Sequence, residues 1–272
     1  MPTEAELDRL CVVLVRARNP NNIGAAARAM HDFGLRHLRV VNDFPVPLES
    51  ARSAVDASDV LADSAAFPTL ADAVADCTLV VGTTAVGERD LQHELLVLSD
   101  AAPRICAELR RGNDCSSGAG RVALLFGSEK TGLSNDELSH CNWLLTVPMR
   151  QYAEVRHPSM NLGQAVAVCL YELVRDRPRP QSSARNPEGP SANGPQAAAD
   201  CAPPNPATAA DLERLTELLS EVLEKTGYIR RHPANGGPAQ LRRLLRRMAL
   251  DAENTSVWMG ILRQILWKVG GA

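Results

Sequence analysis

Five short runs rich in Val, Leu and Ala constrain this chain most: Cys11–Arg16, Arg36–Val41, Cys77–Gly82, Arg121–Phe126 and Trp143–Val147. They show little alternation of apolar with polar residues. A strand with one wet face shows that alternation, so these runs read as strands covered on both faces, as in a mostly parallel sheet. Helical stretches near 22–33, 69–76, 99–110 and 160–175 fall between them and supply the cover. The fold class expected is therefore α/β. Aromatic residues are only 4% of the chain, so the core has to be built from Val, Leu, Ile and Ala.

At 272 residues the chain has room for one large domain or a domain with an appendage. Residues 178–206 carry 8 of the 18 prolines, mixed with Ser, Asn, Gly and Ala and without apolar periodicity. Such a segment buries too little to order itself. The expected organisation is a catalytic-type domain over 1–177, a linker over 178–207 and a helical extension over 208–272. In the extension, Thr208-Ala-Ala-Asp211 reads as a capping box, Leu212, Leu215, Leu219 and Val222 recur at helical spacing, and Gly227 can close the helix. A second helix follows Pro238, with Leu241, Leu244, Leu245 and Met248 on one face and Arg242, Arg243, Arg246 and Arg247 on the other. A third passes through Val257, Ile261, Leu262 and Ile265.

The net charge is −3, which says little about partners, but its distribution says more. Residues 1–177 hold 17 Lys/Arg against 23 Asp/Glu, and residues 228–272 hold 8 against 2. A basic tail on an acidic body can supply local affinity for phosphate. No apolar stretch long enough to cross a bilayer is present, and the start, Met-Pro-Thr-Glu-Ala-Glu, is acidic rather than leader-like. A cytoplasmic protein without membrane partners is expected. The seven cysteines include no Cys-x-x-Cys pair, and Cys11, Cys77 and Cys169 lie in apolar runs. They read as small core residues rather than as a metal or disulfide framework.

Three polar motifs each stand where a strand or loop gives way to a helix, which is where open α/β sheets bind small ligands. In Asn22-Ile-Gly-Ala-Ala-Ala-Arg28, Asn21-Asn22 suit a helix N-cap, and Gly24 and Arg28 share a face that permits close approach. In Phe126-Gly-Ser-Glu-Lys-Thr-Gly132, glycines bracket a loop from which Glu129 projects, and Ser134-Asn-Asp-Glu137 caps the next short helix. In Pro158-Ser-Met-Asn-Leu162, Ser159 can cap a helix with Asn161 in its first turn. The glycine loop lacks the Gly-Lys-Ser/Thr of a P-loop, and the chain has no Gly-x-Gly-x-x-Gly, so nucleoside triphosphate and dinucleotide sites are not indicated.

Over residues 10–175 the order and spacing of these motifs resemble the SpoU/TrmH branch of the SPOUT superfamily, RNA 2′-O-methyltransferases with a trefoil knot. The resemblance implies S-adenosylmethionine as cofactor, RNA as substrate, no metal, and a homodimer in which Arg28 of one chain serves the other's site. It implies catalytic roles for Arg28, Glu129, Ser159 and Asn161. It lines the cofactor with Thr83, Thr84 and Ala85 of Val81-Gly-Thr-Thr-Ala85, with Phe126, Gly127 and Gly132, with Val147 and Pro148 of Trp143-Leu-Leu-Thr-Val-Pro148, and with Ser159, Met160 and Leu162. Asn22, Arg28 and the tail arginines Arg242, Arg243, Arg246 and Arg247 are the RNA-binding candidates. A C-terminal rather than N-terminal appendage resembles the tRNA-acting members, which implies a pyrimidine of the anticodon loop as target. A ribosomal-RNA methyltransferase and a catalytically silent RNA-binding protein on the same fold are the alternatives. Two departures stand out: Met149–His157 is longer than the family's usual link, and Met160 replaces a leucine. His157, in that longer segment, reads as incidental rather than as a base.

Overall fold

The structure is a computed structural model that describes residues 2–42, 57–85, 91–111, 120–150, 160–175 and 205–270. In chain order the elements are α1 (Glu4–Leu7), β1 (Leu10–Val15), α2 (Pro20–Asp32), β2 (His37–Val41), α3 (Ser58–Ala62), β3 (Ala65–Phe67), α4 (Leu70–Ala73), β4 (Cys77–Thr83), β5 (Leu95–Val97), α5 (Leu98–Arg111), β6 (Arg121–Phe126), α6 (Asn135–Ser139), β7 (Trp143–Thr146), α7 (Leu162–Val174), α8 (Ala209–Lys225), α9 (Tyr228–Arg231), α10 (Pro238–Arg247) and α11 (Ala252–Gly270). The strands form one seven-stranded sheet in the order β3-β2-β1-β6-β4-β7-β5, and every neighbouring pair is parallel.

The parallel sheet explains the missing alternation. Leu10, Val12 and Leu14 of β1 point into a core shared with Ile23 and Met30 of α2, Ile105 of α5 and Val166 and Leu170 of α7. Their neighbours Cys11, Val13 and Val15 point into a second core with Leu70 of α4, Leu138 of α6 and Ala209 of α8. Both faces are dry, so both sets are apolar. Cys11, Cys77 and Cys169 are buried within these layers.

Two strands escape the sequence reading, β3 and β5. Each has three residues, lies at a sheet edge and is only partly covered, so neither carries the apolar run that marks a central strand. The helix expected over 69–76 contracts to α4, capped by Thr69. The start of α2 also corrects the expectation: Asn19, not Asn21 or Asn22, is the N-cap, its side chain accepting from the Asn21 N–H. Pro20 occupies the first turn, where its missing N–H costs nothing. Asn161 is likewise the N-cap of α7 rather than a first-turn residue, and Gln164 completes a capping box with it.

Helices α8–α11 continue from this body. Thr208 and Asp211 form the expected capping box, and Gly227, at φ +73°, ends α8. Leu215, Val222, Leu245 and Leu262 make a small core among α8, α10 and α11. The Ala210 N–H donates to the Ala75 carbonyl at 3.1 Å, so the start of α8 is tied to the sheet layer. The expected linker at 178–207 lies almost wholly outside the described residues. No helix among the described residues is long and apolar enough to cross a membrane.

Candidate active site

All seven strands point the same way, so the carboxyl ends of β6, β4 and β7 emerge side by side. There the chain climbs from β1 outward to β2 and β3, then returns with β6 inserted between β1 and β4. The strand order reverses at that point, as at ligand-binding crevices of open α/β sheets.

The loop leaving β6 folds back on itself. The Gly132 N–H donates to the Ser128 carbonyl at 2.7 Å. A Cβ built on Gly127 stands 2.2 Å from the Gly132 carbonyl carbon and the Leu133 nitrogen, so no other residue fits there. Gly132 sits at φ +66°, which also favours glycine. Arg16 holds this loop from outside. It follows β1 with φ +56°, unusual for a side-chain-bearing residue. Its guanidinium forks onto Glu137 at 2.6 and 2.9 Å and reaches the Gly132 carbonyl at 3.0 Å. Burial would raise the Glu137 pKa, but the bonds from Arg16 and the Ser134 cap outweigh it and hold the carboxyl below its ordinary range. Arg16 was not singled out in the sequence, because nothing local pairs it with a glutamate 121 positions away.

The three motifs meet through one hydrogen-bond chain. The Asn161 amide donates to Asn22 Oδ1 at 3.1 Å, and the Asn22 amide donates to Glu129 Oε1 at 3.0 Å. The Gly163 N–H in turn fixes Asn161 through Oδ1 at 3.0 Å. Close packing of α2 on α7 makes this possible: a Cβ on Gly163 would lie 2.6 Å from the Ala25 Cβ. Ala26 and Ala27 are fully buried and Gly24 is buried too. Much of the small-residue face of α2 therefore packs within the chain.

Arg28 is not part of this chain of bonds. It is exposed and makes no hydrogen bond or ion pair with a described residue. Six residues beyond Asn22, it stands about 9 Å further along α2 and about 120° around its axis. Ser159 lies outside the described residues, as does the segment 151–159.

The cofactor candidates gather at the three strand ends. Thr83 closes β4 with its hydroxyl donating to the Leu125 carbonyl at 2.8 Å, and the Thr84 N–H donates to the Leu145 carbonyl at 3.0 Å. Ala85 is exposed, Phe126 is buried, Val147 half-buried and Pro148 exposed. Met160 is half-buried at the start of α7, and Leu162 is buried behind it.

In the tail the structure corrects two of the four arginines. Arg242 forks onto Glu213 of α8 at 2.7–2.9 Å and meets Asp136 at 2.9 Å, so it is an internal tie. Arg246 is only 5% exposed. The helix is turned relative to the amphipathic reading: Leu244 and Met248 face outward at 44% and 46% exposure, while Leu241 and Leu245 are buried. In that orientation Leu241 and Leu245 pack inward and Arg242 pairs with Glu213 and Asp136. Arg247 is exposed and Arg243 half-buried.

A family model described as the SpoU rRNA Methylase family matches residues 9–171, more than half of the chain. The chain belongs to the SpoU methylase family. Similarity extends beyond that domain. It is 33% identical over 260 residues to the tRNA (cytidine/uridine-2'-O-)-methyltransferase TrmJ of Yersinia pestis (strain Pestoides F), covering 95% of this chain and 92% of that one. The TrmJ of Pectobacterium atrosepticum is 34% identical, with coverage of 95% and 97%. Among solved structures, TrmJ from Z. mobilis ZM4 superposes with a TM-score of 0.71 at 30% identity, covering 94% of this chain and 98% of that chain. The match to these relatives runs through both the SpoU-family region and the tail.

Proposed function

We propose that this protein is an S-adenosylmethionine-dependent ribose 2′-O-methyltransferase acting on tRNA, at an anticodon-loop pyrimidine, position 32. One observation carries the reading: Asn22, Glu129 and Asn161, from three motifs far apart in sequence, form a single hydrogen-bond chain above the strand ends. The names of its relatives give the substrate class.

The residues present fit the cofactor. None of Thr83, Thr84, Ala85, Phe126, Gly127, Gly132, Val147, Pro148, Met160 and Leu162 is cationic, so a sulfonium meets no repulsion from them. The turned-back loop at Gly127 offers backbone rather than side chain to the recess. When bound, S-adenosylmethionine supplies a methyl group activated by the sulfonium. The chain's own work is to aim a ribose hydroxyl, exclude water and accept the hydroxyl's proton. Asn161 and Asn22 fix the Glu129 carboxylate, whose second oxygen has no partner among the described residues. Arg28 offers five donors in a plane that suits phosphate and ribose oxygens, and a guanidinium with no acceptor atom orients rather than abstracts a proton. Ser159 belongs with these residues in the same reading.

The active form is a homodimer. The support is Arg28, which is exposed, without a partner among the described residues and turned away from its own Asn22–Glu129–Asn161 chain. A second copy gives it a site to complete. The trefoil knot of the family completes the proposed fold.

The test is methyl transfer from radiolabelled S-adenosylmethionine to bulk tRNA and to ribosomal RNA, with mass spectrometry of the ribose-methylated nucleosides. Label confined to a tRNA pyrimidine is expected. Label only in ribosomal RNA, or no calorimetric binding of S-adenosylmethionine, sinks the reading.

A further inference from the structure

Away from the strand ends, α10 meets α6 and the segment leading into β5, and three buried nitrogens there lack partners. They are Nε of Arg246, Nδ1 of His140 and Nε2 of His93. Arg246 is 5% exposed, and its side chain forms no hydrogen bond or ion pair with any described residue. A buried guanidinium without an anion is costly. Around the guanidinium lie the buried thiols of Cys141 and Cys77, Arg242, and Glu213, which attracts Arg246 but forks onto Arg242; Asp136 also pairs with Arg242, and Glu137 with Arg16. Glu213 Oε2 stands 3.9 Å from His140 Nδ1.

Positive charge converges on this seam. His93, held by the Leu138 backbone of α6, feels Arg243, Arg247 and Arg246 of α10. His140 feels Arg242 and Arg246 of α10, with Glu213 of α8 and Asp136 of α6 opposing. Burial first, and then these arginines, push both imidazoles down to about 4, so both are neutral near pH 7.

We propose that the α6–α10 seam is an oxyanion site for a phosphoryl or sulfate group, bound by Arg246 with His140 and His93 and flanked by Arg243 and Arg247. An anion pairs the buried guanidinium and gives the two imidazoles reason to be protonated, so binding takes up protons. The group comes from one of two sources, a phosphodiester of bound RNA or a free ion. If it is RNA, the inference rests on the tRNA reading above.

The test uses the full chain and sulfate, which does not titrate in this range, in calorimetry at constant ionic strength set with chloride. Saturable 1:1 binding is expected, tighter at about pH 6 than at about pH 7.5. Arg246→Met should weaken it at least about ten-fold. That variant should fold as well as the parent in sulfate-free buffer, since it removes an unpaired buried charge. Should it fold poorly, His140→Gln provides the same comparison, with a lost pH dependence as its readout. Arg263→Met, on α11, should bind sulfate normally. Absence of saturable binding, or equal binding by the Arg246 and His140 variants, overturns the site and leaves the methyltransferase reading intact. Sulfate competing with tRNA in the parent but not in Arg246→Met assigns the anion to the RNA backbone. Indifference of tRNA to sulfate assigns it to the free ion.

Discussion

Gly163 joins the two helices that carry the site, and adding one methyl group there should disable it. A Cβ on Gly163 would stand 2.6 Å from the Ala25 Cβ and 3.2–3.3 Å from the Ala25 carbonyl carbon and oxygen. Carbon atoms pack best near about 3.5–4.0 Å, so α2 and α7 must part by about 1 Å. Overpacking of this kind costs about 1–3 kcal/mol. Replacing glycine in a helix returns at most about 1 kcal/mol. The net loss is up to about 2 kcal/mol, or a fall in Tm of several degrees at about 2–4 °C per kcal/mol. Activity should suffer more. The 3.1 Å bond from Asn161 to Asn22 spans this same seam, and a shift of about 1 Å in such a group can cost about 10²-fold in rate. Gly163→Ala is therefore expected to lose about two orders of magnitude in single-turnover methyl transfer while remaining folded. Ala25→Gly removes the colliding Cβ, so the double variant should recover most of the rate, a coupling that a double-mutant cycle isolates. Wild-type rate and Tm in Gly163→Ala, or no recovery in the double variant, would refute the reasoning.

Arg28→Ala should lower single-turnover rate by about 10²-fold or more with cofactor affinity and Tm unchanged, because the side chain is exposed and supports nothing in its own chain; Asn161→Ala should lower cofactor affinity as well, because it also uncaps α7. Arg16→Ala should free the 127–132 loop, read as faster amide exchange at Gly132 and a reduced rate, and an unchanged exchange pattern would show that the loop stands without it. Acid should undo the seam before the loop. Depressed histidines destabilise the folded state as pH falls from the ordinary value near 6.5 towards about 4, so Tm should decline across that window, and less steeply in His93→Gln/His140→Gln. The Arg16–Glu137 tie, with its lowered carboxylate, persists through that window and is lost only below the ordinary carboxylate range.

The central strands were legible because parallel strands buried on both faces leave long apolar runs, as β1, β4, β6 and β7 do; β2, next to the edge strand, keeps only Leu38, Val40 and Val41 buried. The edge strands were not, since three partly covered residues carry no pattern. Helix α2 began earlier than expected because the cap was sought at Asn21-Asn22, and Asn19 stands two residues upstream. Pro20 decides among them, and once Asn19 takes the cap, Asn22 is released to face Glu129.

The site divides in the same way. Asn22, Glu129 and Asn161 were findable because each sits in a strand-to-helix or loop-to-helix turn whose local chemistry is visible in a few residues. Arg16 was not, since its role is a contact with Glu137 and Gly132 that only the sheet creates. The tail arginines show the limit most clearly. An amphipathic pattern reports which residues share a face of α10, yet not which way that face turns once charge is present on the surface it meets. Glu213 and Asp136 drew Arg242 inward. Arg246, one turn further on, is buried in the seam, where Glu213 acts on it without forming an ion pair. A helix can be rotated by one good ion pair into burying a second charge unpaired, and that second charge is then where an external anion gains most.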